Sequence, residues 1–413
     1  MKILIVDEIG TCLDLAMRMQ AQGHDIRLSI RDRQNKDVGD GIIPKVSSWN
    51  KYVNWADLII FSGSGFSNLP KKLRERGKSV IGGSAITDRI QNDLEFGMRI
   101  CQVSGIPVPE YKVFTEFKDC VDYITENPAV TYMIRPQRTM ARHCTMPLSG
   151  TQAHIIALLS YLGNVIGSAP VMLQEYIEGF PMSIGGWFDG KKFLRPILPN
   201  FEDRTLLEGD IGPNVGRMGA TVIYKDKNRL FTETLDKAAH VLAAEGYVGF
   251  VNLSCIVSEG KPYALSWDLG LDMPAVVTQY ELLKGDVGAF LMGVANASMK
   301  NFKTRKNNWC VGIPIMSMPW PLKYRNMPIL IDSLDPHIHY QGIKMKEDHF
   351  VTAGNNACVA LIAGHGREIN AASQYASQRA NRFKVMEGYH RSDAGLRVMT
   401  MLPLLKSWGF LSK

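Results

Sequence analysis

The stretch from residue 209 to 219 reads GDIGPNVGRMG and holds four glycines in eleven positions, together with Asp210, Pro213 and Asn214. Glycine takes positive φ without steric cost and lets backbone approach another body closely, so this density predicts a shaped loop and speaks against a regular helix or strand. Such a loop is either a surface turn, where Gly, Pro and Asn are the ordinary residues, or a cradle whose amides face an anion. Other chemistry is thinly represented. His337 and His339 are spaced i,i+2, which on a strand sends both rings to one face and leaves metal binding as the minor reading. His143 and His365 sit in loops beside arginines and read as surface donors. No Ser-His-Asp or Cys-His nucleophile arrangement stands out. The cysteines at 12, 101, 120, 144, 255, 310 and 358 are odd in number and form no CxxC pair, which predicts reduced thiols rather than a disulfide framework or a zinc site.

The elements that must position such a loop follow from periodicity. With 413 residues, 46% of them hydrophobic, the chain has material for two to four units with real cores. A formal charge of +7 suits a small anionic or amino-acid ligand, and the scattered basic residues form no aromatic-basic stripe for nucleic acid. No run approaches about twenty apolar residues, so no membrane contact is expected. The opening MKILIVDEIG lacks the long apolar region of a signal peptide, and a cytoplasmic location is expected. KILIVD, GTCLDLAMRMQAQGH and DIRLSI read as strand, helix, strand, and ADLIIFSGSG and GKSVIGGS add two further strands with glycine-rich exits. That pattern predicts an open, mostly parallel sheet, with ligands beyond its carboxyl edge near Asp7 to Thr11, Ser62 to Gly65 and Gly82 to Ala85. Gly105 and the prolines at 107 and 109 end a helix and open a second unit. In it, a helix is expected at FKDCVDYI and another within QRTMARHCTMPLSGTQAHIIALLSYLG, a strand at TYMIRP, and three strands within VMLQEYIEGFPMSIGGWFDGKKFLRPI. One long helix is expected over LFTETLDKAAHVLAAEGYVG, then a hairpin over FVNLSCIVSEGKPYALSWDLG and a helix over YELLKGDVGAFLMGVAN. A third unit starts near residue 301, after which the basic KNFKTRKNNW reads as a solvated linker and ACVALIAGHGREINAA as a strand turning into a helix. Met316, Met318 and the methionines at 398 to 401 read as core filling.

In this order the parts resemble the glycinamide ribonucleotide synthetase family, and through it the ATP-grasp superfamily. The family carries a GD-x-GPN-x-G-x-MGA segment, matched by Gly209, Asp210, Gly212, Pro213, Asn214, Gly216, Met218, Gly219 and Ala220. Its linker is matched by Gly105, Ile106, Pro107, Tyr111 and Phe114, its adenine-side strand by Gln174 to Gly179, and its carboxy-terminal pattern by Arg391, Asp393 and Gly395. The resemblance implies an α/β protein of ATP-grasp architecture. A Rossmann-like domain is expected over residues 1–104, a two-lobed grasp over 105–300 and a small α/β domain over 301–413. It implies a carboxylate–amine ligase, in which ATP phosphorylates a carboxylate and an amine displaces phosphate. By position, Arg135, Gln174 and Glu175 would serve the nucleotide, and Asp268 with Asn252 would hold Mg²⁺. Asp210 and Asn214 would act at the reacting centre, and Gly212, Gly216 and Met218 would bind the acceptor.

The nucleotide side departs from the family's pattern. Leu94 stands where a lysine is expected, Arg135 replaces another lysine, and RTMARHCT replaces a glycine-rich hairpin, leaving Arg138 and Arg142 as its charges. Phe180 and Pro181 occupy positions of ribose-binding acids, and Ser266 occupies that of a metal-binding glutamate. Asp272 could compensate at the metal, although a turn residue ahead of Pro274 is its simpler reading. Two functions stand open on these residues. One is an ATP- and Mg²⁺-dependent ligase joining a small amino acid to an amine; the other is a degenerate relative serving as a ligand-binding subunit, an oligomer or the partner of an active ligase. A third, structural reading keeps the loop glycines only for crossing between domains.

Overall fold

A computed structural model of the chain describes residues 1–136, 151–166, 170–317, 326–331, 334–355 and 357–411. Arg138, Arg142, His143 and Met318 lie outside them. The first sheet is built from β1 (Lys2–Asp7), β2 (Asp25–Ile30), β3 (Leu58–Phe61) and β4 (Ser79–Ile81), all parallel in the order β2-β1-β3-β4. Ile3, Leu4, Ile5 and Val6 are all fully buried, as a strand covered on both faces requires. Helices α1 (Leu13–Ala21) and α2 (Leu69–Glu75) make the crossovers, and α3 (Ala85–Asn92) and α4 (Leu94–Val103) lead out of the sheet. The side chains of Ser84 and Thr87 form a reciprocal cap on α3, and Asp93 caps α4, satisfying amides that the first turn leaves without partners.

A small antiparallel lobe follows. Strands β5 (Tyr111–Phe114), β6 (Tyr132–Pro136) and β7 (Val171–Glu175) pair in the order β5-β7-β6 under α5 (Phe117–Glu126) and α6 (Gln152–Ile166). It has a core of its own, with Phe114, Ile124, Ile134 and Leu159 inside.

The remaining chain builds one large sheet. Its strands are β8 (Phe180–Asp189), β9 (Leu198–Leu207), β10 (Ile211–Ile223), β11 (Val248–Ser258), β12 (Lys261–Leu269) and β13 (Trp309–Ser317). Beyond β14 (Ile329–Leu330), β15 (Ile338–Tyr340) joins the same sheet. The hairpin of β16 (Ile343–Lys346) and β17 (His349–Thr352) precedes β18 (Cys358–Gly366). Strands β19 (Lys384–Val385) and β20 (Gly388–Tyr389) come last. The order β12-β11-β8-β9-β10-β13-β18-β15 runs unbroken through residue 300, so the third unit extends the sheet of the second. Helices α7 (Arg229–Glu233), α8 (Ala239–Ala244), α9 (Pro274–Gln279), α10 (Val287–Ala295), α11 (Ile369–Arg382) and α12 (Leu396–Ser407) flank it. Helix α11 lies so close to β18 that a Cβ on Gly364 would come within 2.4 Å of backbone at Ala372 and Ala376.

Four local expectations need correction. The glycine-rich stretch is not an irregular loop but the first half of β10, paired with β9 through two register shifts, between Ile211 and Asn214 and between Asn214 and Gly219. Gly212 and Gly216, at φ +88° and +79°, serve these bulges, and Gly209 at φ +67° serves the preceding turn. The long helix after residue 229 is broken at Thr234, whose φ/ψ of −131°/−89° is not helical and whose hydroxyl donates to the Leu230 carbonyl. Residues 280–286 do not continue a helix into α10, because Gly285 sits at φ +97° and Asp286 caps the new helix by accepting from the Ala289 amide. The third strand expected after Gly190 begins later, at Leu198; Phe193 and Ile197 make only single bridges.

The six described cysteines are buried, and no disulfide joins any of them to another. Among the described residues no helix is long and apolar enough to cross a membrane.

Candidate functional site

Alternation along β9 sends Asn200, Glu202 and Arg204 to one face of the large sheet and Phe201, Asp203 and Thr205 to the other. On the first face the register sets Asn200 beside Ser183, Ser183 beside Ser254, Ser254 beside Ser266, and Asn252 beside Asp268. The result is a polar strip across four strands. Arg204 ties it together: Nη2 lies 3.0 Å from Glu202 Oε2, 2.8 Å from Ser254 Oγ and 3.9 Å from Asp268 Oδ2. Asn200 and Asn252 are fully buried and joined by a 2.9 Å hydrogen bond from Asn200 Nδ2 to Asn252 Oδ1. Asn252 Nδ2, Asn200 Oδ1 and Glu202 Oε1 are buried with no hydrogen-bond partner. Buried polar atoms without partners are costly, so this strip holds capacity that the chain does not use on itself.

The small lobe approaches the strip's edge through Arg135. Its Nη1 donates to Gln174 Oε1 at 3.0 Å on the neighbouring strand and to the Leu265 carbonyl at 2.8 Å on β12, so one guanidinium spans both lobes. Gln174 is buried and its Nε2 has no partner, whereas Glu175, next along β7, is half-buried. Phe180, at a position where the resemblance implies an acid, is buried and packs on Phe201 with ring centroids 5.8 Å apart.

The opposite face carries a second cluster. Asp210 accepts from Thr205 Oγ1 at 3.0 Å, from Arg391 Nη1 at 3.1 Å and from Arg397 Nη1 at 2.5 Å. Burial pushes its carboxyl up, but the bonds from Arg397, Thr205 and Arg391 prevail and hold it below the usual aspartate range. Arg391, only 2% exposed, also grips Asp393 with two 2.7 Å bonds, and Asp393 in turn accepts the Gly209 amide at 2.9 Å. Arg397 lies over the Phe180 ring at 5.2 Å. The turn at 208–210 is therefore clamped by the segment leading into α12. Asn214, half-buried, pairs with Thr205 in register, and Met218 is fully buried in β10. Asp210, expected at the reacting centre, and Asp268, expected to hold Mg²⁺, thus make their contacts on opposite faces of the sheet.

Asp203 sits inside this second cluster, with Gly219 leaving it room: a Cβ there would come 2.6 Å from Asp203 Oδ2. Burial pushes its carboxyl up to about 6 against the pull of Arg391 and Arg397. The folded state thus binds a proton that the unfolded chain releases near pH 4, so the contribution is fully present below that pH and is lost as pH rises through 6. Asp203→Asn is expected to be more stable than the parent at pH 7.5 by roughly 3 kcal/mol and to lose this advantage by pH 4. Parallel urea titrations at the two pH values check this; equal differences at both would remove Asp203 from the pH dependence.

The other expected sites resolve differently. Asp7 accepts from the amides of Cys12 at 2.6 Å and Ile9 at 3.2 Å, so the first strand-end loop spends these donors on its own carboxylate. The loops at 62–65 and 82–85 do reach the large sheet, the first just past the end of β12 through Leu271 N to Ser62 O at 2.6 Å and the second at the start of β11 through Gly82 N to Val248 O at 2.7 Å. His337 and His339 point the same way, as their spacing predicts, and both meet Glu281, at 2.6 and 3.4 Å. Arg18 enters that cluster at 3.2 Å from Glu281, and among the described residues no group of three His, Cys, Asp or Glu side chains could hold a metal.

The sequence reading missed Glu202, Arg204 and Arg397. For Glu202 and Arg204 the available signal was the charged run EDR at 202–204, shortly ahead of the glycine-rich stretch; Arg397 left none.

Comparison with known proteins places these features. The family described as phosphoribosylglycinamide synthetase, ATP-grasp (A) domain, matches residues 92–269. A phosphoribosylamine–glycine ligase of Leptospira interrogans is 22% identical over 340 residues, covering 78% of this chain and 78% of that protein. One of Pseudomonas aeruginosa is 23% identical over 345 residues, covering 79% of each. The crystal structure of phosphoribosylamine–glycine ligase from Thermotoga maritima superposes with a TM-score of 0.75 at 19% identity, covering 95% of this chain and 100% of that one. A biotin carboxylase domain from Hydrogenobacter thermophilus, solved with MgADP and bicarbonate, gives a TM-score of 0.64 at 11% identity over 93% of this chain and 90% of that one.

Proposed function

We propose, from the premise that the chain is a glycinamide ribonucleotide synthetase-like protein of the ATP-grasp superfamily, that it joins a small amino acid to an amine at the expense of ATP. The observation that carries this reading is the Arg204 guanidinium, set between Glu202 and Asp268 on the polar strip whose edge strand, β12, is met by Arg135 of the small lobe. Phosphoryl transfer to a carboxylate needs positive charge where oxygens crowd, held without reorganisation, and a side chain anchored to two strands supplies it.

The residues fit a nucleotide in outline. Arg135 is a fixed cation at the junction of the lobes, and Gln174 offers a buried donor that has no other use. Glu175, next to Gln174 on β7, would serve the base. Mg²⁺ usually takes one or two carboxylates with the rest of its shell from phosphate and water, and Asp268 with the unshared oxygen of Glu202 matches that number. Bound there, the ion would draw charge from the transferring group. Asn252, whose oxygen already accepts from Asn200, would orient the strip rather than ligate. The acceptor amine would meet the bulged half of β10, where Gly212, Asn214 and Gly216 expose backbone and amide groups, while Asp210 holds the turn in place.

The test is ADP release with Mg²⁺·ATP and a matrix of amino acids against amine acceptors, phosphorylated and not, with product identified by mass. Release that requires both a carboxylate and an amine supports the reading. Tight nucleotide binding without turnover on any pair would overturn it.

A further inference from the structure

A cavity lies away from all of these residues, where the turn before α10 meets the basic segment after it. The two segments run side by side, with Lys284 N donating to Lys303 O at 3.0 Å and Leu283 bridged to Thr304. Between them and the first turn of α10 a cavity of about 290 Å³ opens to the surface. Its floor is apolar: Val287 and Phe290 are buried, and Met299 and Phe302 half-buried, with the two phenylalanine rings 4.9 Å apart. A floor without donors or acceptors holds water poorly, and the volume is that of a small ligand site.

The mouth has the opposite character. Lys284 and Lys303 are both exposed at its edge. The one acid there, Asp286, is committed elsewhere: Oδ1 accepts from the Ala289 amide at 2.6 Å and lies 2.8 Å from His24 Nε2. An apolar floor under two lysines complements a molecule with a flat apolar body and one anionic end. We propose that this cavity is a binding site for a small aromatic carboxylate, separate from the ligation site, with the ring against Phe290 and Phe302 and the carboxylate between Lys284 and Lys303.

The test uses 3-phenylpropionate and its uncharged analogue 3-phenylpropanol in calorimetric titrations of the full chain. The acid should bind saturably, with the alcohol at least about fivefold weaker, since each exposed ion pair is worth up to about 1 kcal/mol. The double variant Lys284→Glu, Lys303→Glu should weaken the acid about tenfold or more and leave the alcohol unchanged. Ala289→Phe, at an exposed position on the cavity wall, should abolish binding of both; if that variant does not fold, the charge-reversal pair decides alone. No saturable binding of the acid at 5 mM, roughly the weakest affinity such contacts would give, overturns the proposal, as does equal affinity for acid and alcohol.

Discussion

Arg204→Met is expected to lower kcat for ligation by about 10²–10³-fold, the usual loss when one fixed charge at a reacting centre is removed. The variant also leaves Glu202 with one oxygen that has no hydrogen-bond partner and another that has lost its 3.0 Å contact, in a side chain only 6% exposed. Some stability is therefore lost as well, and activity alone would not separate the two effects. The double variant Glu202→Gln, Arg204→Met does, because removing both members of a partly buried pair costs far less than removing one. Urea midpoints should fall in the Arg204 variant and recover in the double, while ADP release in the double stays about 10²-fold below that of Glu202→Gln alone, the reference needed because Glu202 is itself proposed to hold Mg²⁺. Activity in the double equal to that of Glu202→Gln would show that Arg204 only holds the strip together. The reading of Arg204 as the charge at the reacting centre would then fail.

How much of this was legible beforehand depends on whether a residue's role was local. The parallel sheet could be read from four short apolar runs, since a strand buried on both faces leaves its mark in its own residues. The break at Thr234 could not, because it arises when a buried hydroxyl finds the Leu230 carbonyl, and the helical pattern runs straight through it. The glycine-rich segment was half legible. Its positive φ values follow from composition, but strand bulges and irregular loops ask for the same residues, and only the pairing of Asn214 with Thr205 distinguishes them. The site was less legible than the fold. Asp210 and Asp268 both sit in segments that match the same family, and nothing in the chain's order reveals that they work on opposite faces of one sheet. That depends on the parity of β9, where Glu202 and Asp203 are neighbours in sequence and belong to different clusters. Arg397 is the extreme case: it lies 187 residues from Asp210, and its role exists only after α12 has docked.

That docking carries the second large effect. Arg391→Met should free the turn at 208–210 and the bulged half of β10, raising amide hydrogen exchange over residues 205–216 by about 10²-fold, equivalent to roughly 3 kcal/mol of local stability. The size follows from burial and number of partners. Arg391 is 2% exposed and donates to Asp393 twice, to Asp210, and to both the carbonyl and the hydroxyl of Thr205. Its partners Asp210 and Asp393 are 33% and 22% exposed, so water recovers part of what they lose, which keeps the value below that of a fully buried pair. Asp203 adds to the loss at neutral pH, because Arg391 is the strongest of the influences pulling its carboxyl down, and without it the cost of ionising Asp203 rises. Arg391→Met should therefore be least damaging near pH 4.5 and most damaging above pH 7, and adding Asp203→Asn should flatten that dependence. Because the clamped turn holds the acceptor side in place, KM for the amine should rise while nucleotide affinity stays constant. Exchange that increases equally over β11 and β12 would mean that Arg391 supports the whole sheet, and the separation of the two faces would fall with it.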